Sequence, residues 1–324
     1  MTEISAIKRK ADELSLLQLI PEYRDYVWGG NRLRTGQLTA EAWVIHENNR
    51  VISGGPFFGR TLAELVTEYG QELLGRRSIQ QTGKKFPLLI KLLDCAEWLS
   101  IQVHPNDEQA TRLEGTGHFG KTEAWHVLDA EVGATIIAGA KPNITQDMLI
   151  EGIQNGTIVD QLQVNLVSKG DTIFINPGTL HALGPGLLIY EIQQTSDLTY
   201  RVFDWNRPLT TGRNLHITKS LAVSDPFAVV NPMPLPDLAD GDKKLLTECP
   251  YFRLEILSSQ SKPFYMDTCS ESFHTLTVIE GQAKVTSSRE ELALNRFDNL
   301  IVPACYGAYQ IHPKGSLRLL KAEV

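Results

Sequence analysis

Four side chains of metal-binding type stand where strand geometry can turn them toward one point. In SIQVHPND, Gln102 and His104 are two positions apart, and alternate residues of a strand share a face. Together they offer a carboxamide oxygen and an imidazole nitrogen. In GKTEAWHVLDA, Glu123 begins an apolar strand and can bring a carboxylate inward; in NPGTLHAL, a proline–glycine corner aims His181. A structural zinc site more often closes four positions with thiolates. Two nitrogens and one carboxylate suit a catalytic ion with room for water or substrate. A lone buried histidine is more often a hydrogen-bonded core residue, so His46, His118, His126, His216, His274 and His312 stay unassigned. His126 alternates away from Glu123 and faces the other side of its strand.

The elements that must position these residues are mostly short strands. Segments 86–94, 99–105, 123–130, 135–140, 171–178, 187–194 and 317–322 are apolar or alternating and bounded by Gly, Pro, Asn or Asp. Many short strands with few intervening helices imply a barrel or sandwich and argue against a doubly wound parallel sheet. Leu62, Leu65, Val66, Tyr69 and Leu73 predict a helix over 61–75 with Gly75 as its C-cap. A second helix is predicted at 144–154, with Asn143 as N-cap and Met148, Ile150 and Ile153 as apolar positions. The stretch DPFAVVNPMPLPDLADGDK (225–243) reads as a linker or wandering loop and divides the chain into residues 1–240 and a smaller C-terminal domain, 241–324. GDTIFINPGTLHAL (170–183) is echoed by FDNLIVPACYGAYQI (297–311): each has an acidic turn, an apolar strand and a proline corner. His181 stands four residues after Pro177, whereas Gly307 stands four after Pro303. The echo suggests two barrels of one ancestry, with ligands in the first alone.

Composition narrows the partners. The 324 residues are 42% hydrophobic and 21% charged, ordinary for a globular protein, and carry a net charge of −7. That charge argues against nucleic acid as a general partner. Cys95, Cys249, Cys269 and Cys305 form no C-x-x-C pair and read as reduced structural residues. MTEISAIKRKADELS lacks the apolar h-region of roughly 7–15 residues that an export signal needs, and no stretch approaches the ~18–20 apolar residues of a membrane span. No membrane association and a cytoplasmic location are therefore expected. Oligomeric state is not legible.

The chain resembles the type I mannose-6-phosphate isomerases in their short form. YRDYVWGGNRL (23–33), AEAW (41–44), LLIKLLDCAEWLSIQVHPND (88–107), GKTEAWHVLDA (120–130), PGTLHAL (177–183), YEIQQTSDLTYRVFDWNR (190–207) and NLHITKSL (214–221) are similar to family blocks and occur in the family's order. His126 and His46 depart from the family pattern, and the C-terminal 80 residues match less well. The resemblance implies cupin-type (jelly-roll) β-barrels with a few added helices. It implies one zinc ion per chain, bound by Gln102, His104, Glu123 and His181. It also implies Arg201 in the active site and substrate contacts from Lys91, Ser100 and Lys121.

The implied reaction interconverts mannose 6-phosphate and fructose 6-phosphate by moving a proton between C1 and C2 through a cis-enediol. A divalent ion would polarise the carbonyl, and a positioned acid–base group typically contributes ~10²–10⁴-fold. Lys91, Lys121 and Arg201 can form a cationic wall for a dianionic sugar phosphate. Phosphate contact is assigned to Lys91 and Ser100, with Arg201 and Lys121 nearer the reacting carbons. For the proton carrier, Glu191, Lys121 and a metal-bound water all remain open, and Glu191 could instead orient a ligand. Trp28, Trp43, Trp98, Trp125 and Trp205 are read as core volume. Two rivals stay in view. A cupin oxygenase uses two His and a Glu on iron, where Gln102 would crowd the oxygen site. A non-enzymatic sugar-phosphate-binding barrel needs no turnover at all.

Overall fold

The computed structural model describes residues 13–324 except positions 54, 209 and 211. Residues 1–12, most of the segment read above for an export signal, lie outside the described residues. The chain is mainly β, a cupin-type jelly-roll arrangement with few helices. Among the described residues, no helix is long and apolar enough to cross a membrane.

By contacts, the chain falls into two units, neither continuous in sequence. Trp43–Leu89, Pro236–Val324 and the residues up to Glu22 form the first; Tyr23–Ala42 and Ile90–Leu235 form the second. The last break, at Leu235, lies inside the proline-rich 225–243 stretch. A single cut near residue 240 nevertheless misplaces Trp43–Leu89, which groups with the C-terminal strands. The cause is visible in the first unit. Phe86 packs on Phe273 with ring centroids 4.8 Å apart, and the Phe273 amide donates to the Leu74 carbonyl at 3.3 Å.

Those helices also differ from expectation. Instead of one helix over 61–75 there are two, α1 (Leu62–Tyr69) and α2 (Gln71–Thr82), broken at Gly70 (φ 48°, ψ −114°). Gly75 does not cap a helix. It sits inside α2 at φ 83°, where an added Cβ would lie 2.4 Å from the Glu271 carbonyl oxygen. Glycine alone combines that φ with so close a backbone approach. In the same unit, strands His274–Glu280, Leu317–Glu323 and Arg253–Ser259 lie side by side in a six-stranded sheet. Their inward residues, Leu276, Val278, Leu317, Leu319 and Leu257, share one core with Phe264, Val285 and Ile311 of a four-stranded sheet.

The second unit repeats the plan. Its strands are β1 (Leu88–Cys95, entering the unit at Ile90), β2 (Ile101–Val103), β3 (Glu123–Ala130), β4 (Thr135–Ala140), β5 (Leu162–Leu166), β6 (Thr172–Ile175), β7 (His181–Leu183), β8 (Leu187–Gln194) and β9 (Tyr200–Phe203). One sheet contains the run β1-β8-β3-β6; the other runs β9-β2-β7-β4-β5. Leu93, Cys95, Trp125, Val127, Ile173 and Ile189 from the first meet Ile136, Ala138 and Leu183 from the second in one buried cluster. Each fully buried aliphatic side chain contributes roughly 1.5–3 kcal/mol, which offsets the cost of the charged layer described below.

Among the described residues, this unit holds the α-helices α3 (Asp107–Glu114), α4 (Gln146–Asn155) and α5 (Ile217–Val223). Leu149, Ile153 and Val223 of α4 and α5 cover the outer side of the second sheet at Ile101, Val103, Ala182 and Tyr200. The predicted second helix exists but begins later. Thr145, not Asn143, caps it by accepting from the Met148 amide at 3.2 Å, while Asn143 adopts a left-handed φ of 71°. Helix α3 was missed, although Asn106 and Gln109 form a reciprocal capping box readable in HPNDEQ.

Candidate metal centre and cavity

Strand alternation explains which side chains reach the open end of the second unit. Leu93 and Cys95 are inward on β1, so Lys91 is too; Trp125 and Val127 place Glu123 inward, and Ile189 places Glu191 inward. Beyond the apolar plug, the barrel therefore ends in a layer of charge. Register completes the layer. His181 and Arg201 both pair opposite Gln102, and Gln193 pairs opposite Glu123. At the proline–glycine corner, Gly178 has φ 86° and donates to the His104 carbonyl at 2.9 Å, which ties His181's corner to His104.

Side chains of the sequence blocks hold the remaining backbone. Asp107 accepts from the Gly120 amide at 2.7 Å, and Gln194 accepts from the Thr122 amide at 2.8 Å. The Lys121 amide donates to the Pro105 carbonyl at 2.9 Å. Gly30 serves the same end of the fold: a Cβ there would lie 2.3 Å from Asp94, which also accepts from Arg32 Nε at 2.6 Å. That close approach explains the paired glycines in YVWGGNRL.

His104, Glu123 and His181 are buried, with potential ligand atoms within 4.8 Å of one another. Glu123 Oε2 lies 3.5 Å from His104 Nε2, and Oε1 lies 3.3 Å from His181 Nε2. Each imidazole is anchored through its other nitrogen: His104 Nδ1 to the Leu198 carbonyl at 2.8 Å, and His181 Nδ1 to the Thr179 carbonyl at 2.9 Å. A carbonyl can only accept, so Nδ1 carries the proton and Nε2 turns a lone pair inward. Burial, with help from Lys121, pushes His181 down to about 3 and His104 well below the usual histidine range. Both rings are thus neutral, as ligands must be. Glu123 is fully buried and its Oε1 accepts no hydrogen bond, an orphaned acceptor beside two ready lone pairs. Gln102 completes the ring, its amide nitrogen 3.3 Å from His181 Nε2. A half-turn of that amide presents its oxygen instead. These residues fit a divalent cation.

Lys121 Nζ reaches Glu123 Oε2 at 2.5 Å and His104 Nε2 at 3.1 Å. Glu191 receives the Trp125 indole N–H on Oε2 at 3.1 Å, and its Oε1 faces Lys91 at 3.2 Å and Lys121 at 3.9 Å. Burial would raise the Glu191 carboxyl, but Lys91 and Lys121 overcome it and hold the group down at about 2. Lys91 is not a free cation. Besides Glu191 it faces Glu41 and Asp197, each at 3.9 Å. Burial opposes its charge, yet these carboxylates outweigh burial and raise its pKa.

Gln102, Lys91, Lys121 and Glu191 of this layer open on a cavity of about 360 Å³. Its walls include Lys91, Ser100, Gln102, Lys121, Glu191 and Arg201, which the sequence reading placed in the site, and Tyr26, Glu41, Asp197, Arg213 and His216, to which it gave no role there. Glu41 and Asp197 stood inside quoted blocks, but nothing local marks a carboxylate as the partner of a distant lysine. His126 lies on the opposite strand face and bonds Thr172 Oγ1 at 3.0 Å. Trp125 does more than fill volume, since it orients Glu191.

Comparison with known proteins agrees with this geometry. Residues 16–118 match the model of the phosphomannose isomerase type I catalytic domain. The mannose-6-phosphate isomerase of Streptococcus mutans is 34% identical over 88% of this chain and 91% of its own length. That of Bacillus subtilis is 33% identical over 90% of this chain and 94% of its own. A crystal structure of the Bacillus subtilis mannose 6-phosphate isomerase superposes with a TM-score of 0.85 at 31% identity, covering 96% of this chain and all (100%) of the other. With two imidazoles and a carboxylate converging beside a cation-lined cavity, and with relatives matching it along nearly its whole length, this chain belongs to the type I mannose-6-phosphate isomerase family.

Proposed function

We propose that this chain interconverts mannose 6-phosphate and fructose 6-phosphate at one zinc ion held by Gln102, His104, Glu123 and His181. The observation that carries this reading is the orphaned Glu123 Oε1, set beside two imidazole lone pairs and directly behind Gln102 and Lys121 of the cavity wall. Zinc bound there supplies Lewis-acid polarisation of the sugar carbonyl without redox side chemistry.

The chain's own groups do the rest. Glu191 moves the proton between C1 and C2, so that a cis-enediol lies between aldose and ketose. Glu191 is a buried cavity-wall carboxylate kept ionised by two lysines and oriented by Trp125. Lys121, beside Glu123, supplies positive charge where the enediol oxygens carry negative charge. Arg201, expected from the sequence nearer the reacting carbons, instead joins Ser100 at the phosphate-bearing end of the substrate in this reading. Lys91 acts on the substrate through Glu191, whose ionised form it maintains.

A coupled assay for fructose 6-phosphate from mannose 6-phosphate tests the reading. Turnover should disappear on chelation and return with zinc. No turnover in the isolated, chelated or zinc-restored protein would remove the proposal. Glu191→Gln should lower kcat by ~10²–10⁴-fold while the bound zinc stays at one per chain; unchanged kcat would remove Glu191 as the proton carrier.

A further inference from the structure

We propose that Arg213 joins Ser100 and Arg201 in a clamp for the substrate's phosphate, and that Asp204 is the positioning residue that sets Arg213 in place. This rests on the isomerase reading above and adds the anion subsite to it.

The charges of the cavity are segregated. Around the metal-binding residues, Lys91 and Lys121 face four carboxylates: Glu41, Glu123, Glu191 and Asp197. That end carries an excess of negative charge suited to a divalent cation, and both lysines are already engaged. A phosphate dianion brought to Lys91 would meet three carboxylates within 3.9 Å of the same ammonium.

The arginine end has the opposite balance. Among the described residues Arg201 forms no ion pair with a carboxylate; its Nη1 donates to the Asn214 carbonyl at 3.2 Å, and its buried Nε has no acceptor. Arg213 Nε donates to Asp204 Oδ2 at 2.7 Å, and its Nη2 lies 3.4 Å from the Ser100 hydroxyl and 3.3 Å from Asp204 Oδ1. Asp204 is shared with Arg207, at 3.0 Å. Asp204 is thus divided between two guanidiniums, and burial and the nearby Arg213 charge together lower the Arg201 pKa. A buried unused N–H, a nearby hydroxyl and a surplus guanidinium make a recognition set for a tetrahedral dianion. Guanidinium forks match phosphate oxygens with paired hydrogen bonds. Asp204 occupies one edge of the Arg213 fork and leaves the other edge beside Ser100. His216 strengthens the assignment, because its Nδ1 accepts the Arg201 backbone N–H at 3.1 Å and ties the segment just after Arg213 to β9.

The test uses inorganic phosphate on the zinc-loaded protein, by calorimetric titration and as a competitive inhibitor. Arg213→Gln should weaken phosphate binding and raise KM for mannose 6-phosphate by ~10–100-fold, the range expected for losing charge-assisted hydrogen bonds. Its kcat should change far less than KM, since the clamp binds ground state and transition state alike. Asp204→Asn should show the same split to a smaller degree. Arg213→Lys, which keeps the charge but loses the fork, should fall between parent and Arg213→Gln. Unchanged phosphate affinity in folded Arg213→Gln or Arg213→Lys overturns the clamp, as does a parent that binds no phosphate. A parent that binds phosphate through Arg213 but never isomerises the sugar would sink only the isomerase reading.

Discussion

The two units end their apolar cores in the same way and finish them differently. In the first unit, Leu276 and Val278 give way along their strand to His274, Leu319 to Lys321 and Glu323, and Leu257 to Glu255. Lys321 Nζ then meets Glu255 at 3.0 Å and Glu323 at 3.1 Å; His274 meets Glu323 at 3.0 Å and the Tyr309 hydroxyl at 2.8 Å. Arg253 covers the outer oxygens of Glu255 at 3.3 Å and Glu323 at 3.9 Å. Charge meets charge, and the layer is closed. In the second unit, Glu123 keeps an orphaned oxygen and the layer opens on a cavity. Buried charge by itself therefore does not mark a functional site. What distinguishes the metal-type layer is an acceptor left unpaired, rings with lone pairs turned inward, and space beside them. A closed pair network is expensive to desolvate but self-compensating, and it points to structure.

This contrast can be broken by experiment. Glu123→Ala in the second unit should cost turnover ~10³-fold or more, about 4 kcal/mol of barrier, and empty the metal site while thermal melting shifts little. A fully active, metal-loaded variant would show that Glu123 is structural. Lys321→Met in the first unit should do the reverse. It leaves the buried Glu255 and the half-buried Glu323 without their shared ammonium, with Arg253 and His274 as the remaining partners, and should destabilise the fold by roughly 3 kcal/mol. Turnover per folded molecule should hold, and a lowered kcat at full folding would refute the assignment.

The pH dependence of stability should follow the first unit's layer. Burial pushes the Glu323 carboxyl up, but His274 and Lys321 hold it down at about 2, against 4.5 ordinarily. Its contribution is therefore present above pH 4.5 and lost as pH falls toward 2. His274 is shifted down by burial, against the pull of Glu323, so its contribution is present above 6.5 and declines as pH falls from there. Urea midpoints from pH 7 to 3 should fall in the parent and fall less in Glu323→Gln once corrected for its lower starting stability; equal slopes would exclude this layer as the source. The smallest effect is local. Thr145→Ala removes the cap of α4 and should cost about 1 kcal/mol, with kinetics unchanged.

Much of the second unit could be read before the fold was known. β3, β4 and β8 span the segments 123–130, 135–140 and 187–194 expected from their apolar character. The alternation that placed Gln102 and His104 on one face also governs Lys91, Glu123 and Glu191, because the strand period is a local property of the backbone. The helix boundaries were less legible. Gly75 looks like a cap in sequence because a glycine after an apolar stripe usually is one; in the fold it answers to Glu271, nearly two hundred residues away. Which groups partner Lys91, expected at the phosphate with Ser100, was not legible for the same reason. Its three carboxylate partners come from positions 41, 191 and 197.

The sequence by itself determined the strand periods, the proline–glycine corner before His181 and the residue types able to bind a cation. Each depends only on neighbours along the chain. Tertiary structure alone decided which charges cancel. The pairing of Lys91 with Glu41 and Glu191, and of Lys321 with Glu255, depends on how strands distant in the chain are brought together, and electrostatic balance is a property of distances in space, not of positions in a string.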